Sequence, residues 1–313
     1  MYKYQICFIL NLILFVTSGQ LKAKDSIGET LYYQRKFKDA TSYFRVESIK
    51  GDKNNKAHNI FWLGQCLAAL RQPDSAIVAY EYLVAEKNIA PIWKINALGG
   101  LASIYSYRQD TKKVEFYVSQ MLLYGNQYPE KRDARYWRIM GNFYFDTYKN
   151  DLATTHFIRS ANTAESQKDS IGLVGSYVML GRVYERLEKN IQALHYFELA
   201  IKMQDELKIN LHLPQCYQSV AALYENQNNF KKAFEYYSKG ISLDTKLGDN
   251  YGRAYGLIGV SNALLNQGKT KNVASLIGEA YSIFIKYDDQ PCIGYCLNLK
   301  GLYHQKNSNI KKH

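Results

Sequence analysis

Apolar and polar residues follow helical spacing along this chain, and one pattern of large and small positions keeps returning. A small residue is followed three positions later by Tyr or Leu. Nine further on comes a second small or aliphatic residue, and four after that usually an aromatic one. The clearest copy is Gly181, Tyr184, Ala193 and Phe197, and the next is Ala221, Tyr224, Ala233 and Tyr237. Upstream lie Gly141, Tyr144, Ala153 and Phe157; Ala102, Tyr105, Val114 and Val118; and Gly64, Leu67, Ala76 and Tyr80. Weaker copies start at Gly28 and at Ser261. From 64 the anchor moves to 102, 141, 181, 221 and 261, in steps of 38, 39, 40, 40 and 40. Self-similarity at such a period marks a repeat architecture. It predicts helical hairpins over roughly 25–50, 55–87, 91–126, 130–168, 170–209, 211–248 and 250–287, with a last helix over 289–306.

Each position has a physical reason. Small residues at the Gly181 and Ala193 positions let two antiparallel helices approach closely, and the Tyr184 and Phe197 types fill the space towards neighbouring hairpins. Turn-prone stretches separate the helices, such as Lys149-Asn150-Asp151, Gln227-Asn228-Asn229 and Gln267-Gly268-Lys269. A lone hairpin cannot bury its apolar face, so the copies must stack. The run Leu180-Gly181-Tyr184-Ala193-Phe197-Ala200 resembles the tetratricopeptide repeat, and the resemblance extends over about 27–305. It implies an all-α superhelix, a solenoid of about seven hairpins plus a C-terminal capping helix. The units are longer than the usual 34 residues and are similar to those of kinesin light chains and Rap-type peptide-sensing regulators. Ile293, Cys296, Leu299 and Tyr303 repeat the first-helix pattern once more, and 307–313 adds no second helix. A solvating end helix and a truncated regulator both match that ending.

The N-terminus changes the picture of where the array works. Lys3 precedes an apolar run from Ile6 to Val16; Thr17, Ser18 and Gly19 follow, and Ala23 precedes the charged Lys24-Asp25. The run is shorter than the ~20 residues a membrane span needs, so residues 1–23 read as a cleavable secretory signal. The expectation is an exported protein, soluble in the periplasm of a bacterial envelope, with an array over 24–310. The formal net charge is +12. On an exported protein that favours an acidic peptide or protein partner and argues against nucleic acid.

Candidate chemistry is thin. Gly268-Lys269-Thr270 lacks the first Gly of a phosphate loop, because Ala263 stands there, and no strand precedes it. His195 and Glu198 do not make a His-Glu-x-x-His motif. His156 and His195 fall at nearly the same place in successive repeats and read as a solvent-facing pair. Cys66, Cys216, Cys292 and Cys296 are too dispersed for a disulfide framework and suit apolar packing. No cofactor, metal or catalytic set is expected.

The resemblance implies a binding wall made by the first helix of each hairpin. Transferred to this chain, that wall carries Arg135, Arg138, Asn142, Arg182, Glu185 and Arg186, then Gln218, Glu225, Asn226, Asn262 and Asn266. Asn amides can pair with an extended backbone, and Arg can grip a carboxylate with two parallel bonds. Tyr107, Phe145 and Tyr255 would serve as apolar shelves. The expected function is a non-catalytic scaffold holding a peptide or protein in this groove, touching membrane only through a partner. The competing readings are the sensory region of a transmembrane signalling regulator and a structural subunit of an envelope assembly.

Overall fold

The computed structural model describes residues 27–310, and the expected signal segment, 1–23, lies outside them. The described residues form fifteen α-helices and no strand. They are α1 (Ile27–Tyr33), α2 (Phe37–Glu47), α3 (Lys53–Ala69), α4 (Pro73–Ala85), α5 (Pro91–Tyr107), α6 (Thr111–Gln127), α7 (Ala134–Asp146) and α8 (Asn150–Ser166). Then follow α9 (Ser170–Arg186), α10 (Asn190–Leu207), α11 (Leu213–Asn226), α12 (Phe230–Leu247), α13 (Asn250–Asn266), α14 (Val273–Lys286) and α15 (Gln290–Ile310). None of these helices is long and apolar enough to cross a membrane.

Helix ends are written into the sequence. Pro73, Pro91 and Pro214 sit in first turns, where a missing N–H leaves no bond unmade. Pro129 opens a short 3₁₀ turn and Pro291 the first turn of α15, so all five prolines start elements. Asp52, Asp110, Asp133, Asp169, Asn229, Asp249 and Asp289 each accept a backbone N–H three residues on. First helices stop on a left-handed residue: Arg71, Gln109, Tyr148, Glu188, Asn228 or Gly268. The next N–H then donates to the carbonyl five residues back, as from Lys149 to Tyr144 (2.8 Å) and from Lys189 to Tyr184 (2.9 Å). The acceptor is always the Tyr or Leu of the repeat pattern.

The chain forms two compact units. The first holds α1–α8, α9 up to Val183, and Lys202–Leu211; the second holds Tyr184–Ile201 and everything from His212. In the first unit, the Tyr80 ring lies between two bare helix surfaces. A Cβ at Gly64 would come within 2.5 Å of it, and one at Gly100, on the next hairpin, within 2.6 Å. Phe44 and Phe157 press on Gly28 and Gly141 in the same way. In the second unit, Tyr237 of α12 presses on Gly259 of α13. Where a second helix carries an aromatic at this position, as at Phe44, Tyr80, Phe157 and Tyr237, its ring is a wedge against a bare helix surface.

The Tyr184 position behaves differently from the expectation. Its ring stacks inside its own hairpin, on an aromatic twelve residues later. The pairs are Tyr105–Tyr117 (5.5 Å), Tyr144–His156 (5.0 Å), Tyr184–Tyr196 (5.5 Å) and Tyr224–Tyr236 (5.6 Å). A phenol that stays near the surface keeps its hydroxyl hydrated while burying its ring. His156 is therefore not one of a solvent-facing pair. It is half-buried between Trp137 and Tyr144, and burial lowers its pKa, whereas His195 is exposed.

One chain segment closes back on the first unit. After α10, Ile209 is buried in the same apolar cluster as Tyr33, Phe61 and Trp62. The Asn210 N–H donates to the Tyr33 carbonyl at 3.0 Å.

The wedge makes a paired prediction. Gly100→Ala forces a methyl against a ring that Gly64 already backs, and should cost about 1–3 kcal/mol. Gly278→Ala, on an exposed helix surface with open space around it, should stabilise by about 0.5–1 kcal/mol. Denaturant unfolding of both variants checks the contrast; equal effects of one sign would refute the wedge.

Candidate functional site

The expected wall residues fall into separate settings. In the first unit, Arg135 lies over the rings of Phe61 (4.9 Å) and Trp62 (5.4 Å) of α3. Tyr32 packs on Trp62 at 5.1 Å. Burial pushes the Tyr32 phenol up to about 12, with the charges of Arg135 and Arg138 pulling it the other way. Arg138 crosses α9 where Gly175 is bare, its Nη1 2.9 Å from the place a Cβ would occupy. Burial lowers the Arg138 pKa, Arg135 lowers it further, and Asp169 and Asp133 oppose them. Both arginines are engaged by the array's own aromatic and acidic groups.

Asn142 and Arg182 are brought together instead. They line one concavity of about 160 Å³ between α5, α6, α7 and α9. Arg182 is exposed, with its guanidinium over the Phe145 ring at 5.3 Å. Asn142 is half-buried, and its Oδ1 is fully covered without a hydrogen-bond partner. At the rim, Ser106 donates to Asp146 at 2.5 Å. Of the expected shelves, Phe145 is buried beneath Arg182, while Tyr107 is 77% exposed at the end of α5.

The second unit holds the remaining candidates. Gln218 donates to the Gly252 carbonyl (3.0 Å) and to Asp244 Oδ2 (3.3 Å), so it joins α11 to α12 and α13. Asn262 donates to Glu225 Oε1 at 2.8 Å, and Tyr237 donates to Oε2 at 3.1 Å. Asn266 bonds the same carboxylate. Burial raises the Glu225 pKa above the usual carboxylate range, and these three donors oppose the rise. Arg186 is half-buried, and Asn226 and Asn266 are exposed. Tyr255 lies against Phe284 and bonds the Cys292 thiol.

Among the described residues, Cys66, Cys216, Cys292 and Cys296 are free and buried. Burial pushes Cys66 up to about 12 and Cys296 up to about 11, which keeps both as unreactive thiols. Among the described residues, no three His, Cys, Asp or Glu side chains gather as a metal site.

Sequence reasoning missed Phe61, Trp62 and Tyr32 as partners of the arginines, because their apposition depends on how hairpins stack. It also missed Ser106 and Asp146. The stacked pairs did carry a signal, an aromatic twelve residues after each repeat Tyr.

A family model described as tetratricopeptide repeat matches residues 174–206 and 214–247. No curated protein matches the sequence. The fold is similar to that of a Rap protein solved with competence and sporulation factor, at TM-score 0.58 and 17% identity over 87% of this chain and 82% of that one. It is also similar to the apo quorum sensor NprR of B. thuringiensis, at TM-score 0.59 and 11% identity over 88% and 78%. A signal-transduction ATPase with a tetratricopeptide repeat sensor from Pyrococcus horikoshii gives TM-score 0.62 and 14% identity over 99% and 51%.

The Glu225 cluster makes stability depend on pH. Because burial raises its folded pKa, the folded state holds this proton more tightly than the unfolded state. Stability should fall as pH rises from the ordinary carboxylate value through the folded one. Glu225→Gln should flatten that limb and stabilise the chain at neutral pH. Urea unfolding followed from acid through neutral pH reads both; an unchanged slope in the variant would assign the dependence elsewhere.

Proposed function

We propose that this chain, whose residues 174–206 and 214–247 match the tetratricopeptide repeat, is an exported, non-catalytic scaffold that binds a peptide or protein on its first-helix wall. The observation that carries this reading is the concavity between α5, α7 and α9. There Arg182 stands exposed on Phe145, while Arg135, Arg138, Gln218 and Asn262 already have partners within the chain. A guanidinium held flat on an aromatic ring keeps its outer N–H groups for a carboxylate. With a net charge of +12, the chain favours an acidic partner.

Export rests on the apolar run Ile6–Val16, with Thr17, Ser18 and Gly19 after it and Ala23 before Lys24. A sensory role is the second reading. It is favoured by neighbours of the same fold, one a quorum sensor, one a repeat sensor, and one solved with a competence and sporulation factor.

The test is a pull-down from envelope extract with protein starting at residue 24, beside its Arg182→Glu variant. Arg138→Glu is the wrong probe, since its carboxylate would face Asp133 and Asp169 and unfold the wall. A partner held by wild type and reduced at least about tenfold by Arg182→Glu is expected, a charge-assisted pair being turned into a repulsion. Equal retention by both would move the site off this wall.

A further inference from the structure

The second unit has a concavity of its own, and none of the candidate wall residues lines it. It is a trough of about 420 Å³ between α11 and α12. Leu213 and Tyr217 of α11 and Leu243 of α12 make its floor. Lys239, Lys246, Ser238 and Ser242 stand along its α12 side, with Glu235 one turn before Lys239. The Lys239 ammonium is held over rings, 4.7 Å from that of Tyr236 and 6.0 Å from that of Tyr217. Lys246 is exposed and, among the described residues, has no acidic partner. The hydroxyls differ in the same way. Thr245 donates to the Ile241 carbonyl at 2.7 Å, a common use of a helix hydroxyl, whereas Ser238 and Ser242 make no such bond.

These groups specify a class of ligand. Two lysines and one glutamate leave the trough a single net positive charge, which matches one negative charge and not two. Glu235 repels an anion at its own end, so the charge belongs at the other, where Lys246 and the Ser242 hydroxyl can both donate to it. Away from that end the floor is alkyl and ring surface, to which the lysine stems add. A peptide would bring main-chain N–H and carbonyl groups onto that floor without partners, and an alkyl chain brings none. Lys239 and Lys246 are seven residues apart in the chain. That is about 10 Å of helix, the length of a chain of roughly eight carbons. We propose that the trough binds a medium-chain aliphatic carboxylate, its head group on Lys246 and Ser242 and its chain over Leu243, Leu213 and Tyr217.

Three probes separate head group from chain: octanoate, octanamide and acetate. Each is titrated, below the concentration at which octanoate forms micelles, into the full chain carrying 13C-labelled Leu methyls. Leu213 and Leu243 are the reporters, and Leu67, in the core of the first unit, is the control. Octanoate should shift both reporters and saturate, and acetate should shift neither. Octanamide should bind about tenfold more weakly than octanoate, as expected for loss of a charge-assisted hydrogen bond. Two variants complete the set. Lys246→Gln should bring octanoate down to the affinity of octanamide and leave octanamide unchanged. Ser242→Trp, at an exposed position, fills the trough and should block both. Silent reporters, octanamide as tight as octanoate, or octanoate indifferent to Lys246→Gln would overturn the site. Shifts that spread to Leu67 would mark detergent action and overturn it as well.

The trough and the wall stand or fall separately. Arg182→Glu should leave octanoate binding intact, since Arg182 does not line the trough.

Discussion

The structure depends on an aromatic ring pressed between two helices that have no side chain where the ring lies. Tyr80 is the clearest case, touching the backbone of α3 at Gly64 and of α5 at Gly100. A ring in that position fills the interhelical space at the density of a protein interior and fixes the distance between one hairpin and the next. Its hydroxyl still needs a partner, and Gln65 donates to it at 2.7 Å. Gly28, Gly141 and Gly259 receive Phe44, Phe157 and Tyr237 by the same rule. Everything on the first-helix wall inherits its spacing from these contacts.

That spacing explains why an inventory of polar wall residues overstates the surface open to a partner. When hairpins stack closely, long side chains of one first helix reach another. Arg135 meets Phe61 and Trp62, Gln218 meets Gly252, and Asn262 meets Glu225. These contacts hold hairpins together within each unit and remove the same groups from recognition. Where the neighbouring side chains are small, as around Ala102 and Ser103, the wall opens into a concavity.

Much of the fold was legible because the repeat is a local pattern. Anchors such as Gly64, Gly141 and Ala221, the turn residues and the helix-starting prolines each act within a few positions of themselves. The wall was legible only as a list of positions. Whether Arg138 faces solvent or Asp169, or Asn142 keeps its oxygen unpaired, is decided by residues tens of positions away that no periodicity orders. The cavity depends on side-chain volumes contributed by four helices. The Tyr184 position was read with the wrong neighbour for a simpler reason. An amphipathic ring can face either the next hairpin or its own second helix, and period alone does not choose.

The bond from the Asn210 N–H to the Tyr33 carbonyl, with Ile209 buried beside it, ties the far end of α10 to the first hairpin. Repeat arrays ordinarily unfold from their ends, since each unit is coupled only to its neighbours. Here the outermost hairpin is fastened to a segment made much later in synthesis. The first hairpin cannot fray without releasing Ile209 to water, so amide exchange near the N-terminus should track the opening of the whole first unit. The same tie gives an otherwise local topology one contact of very long sequence separation. Its loop-closure entropy places it among the last events of folding. A nascent chain would carry an unsealed first hairpin until residue 210 had emerged.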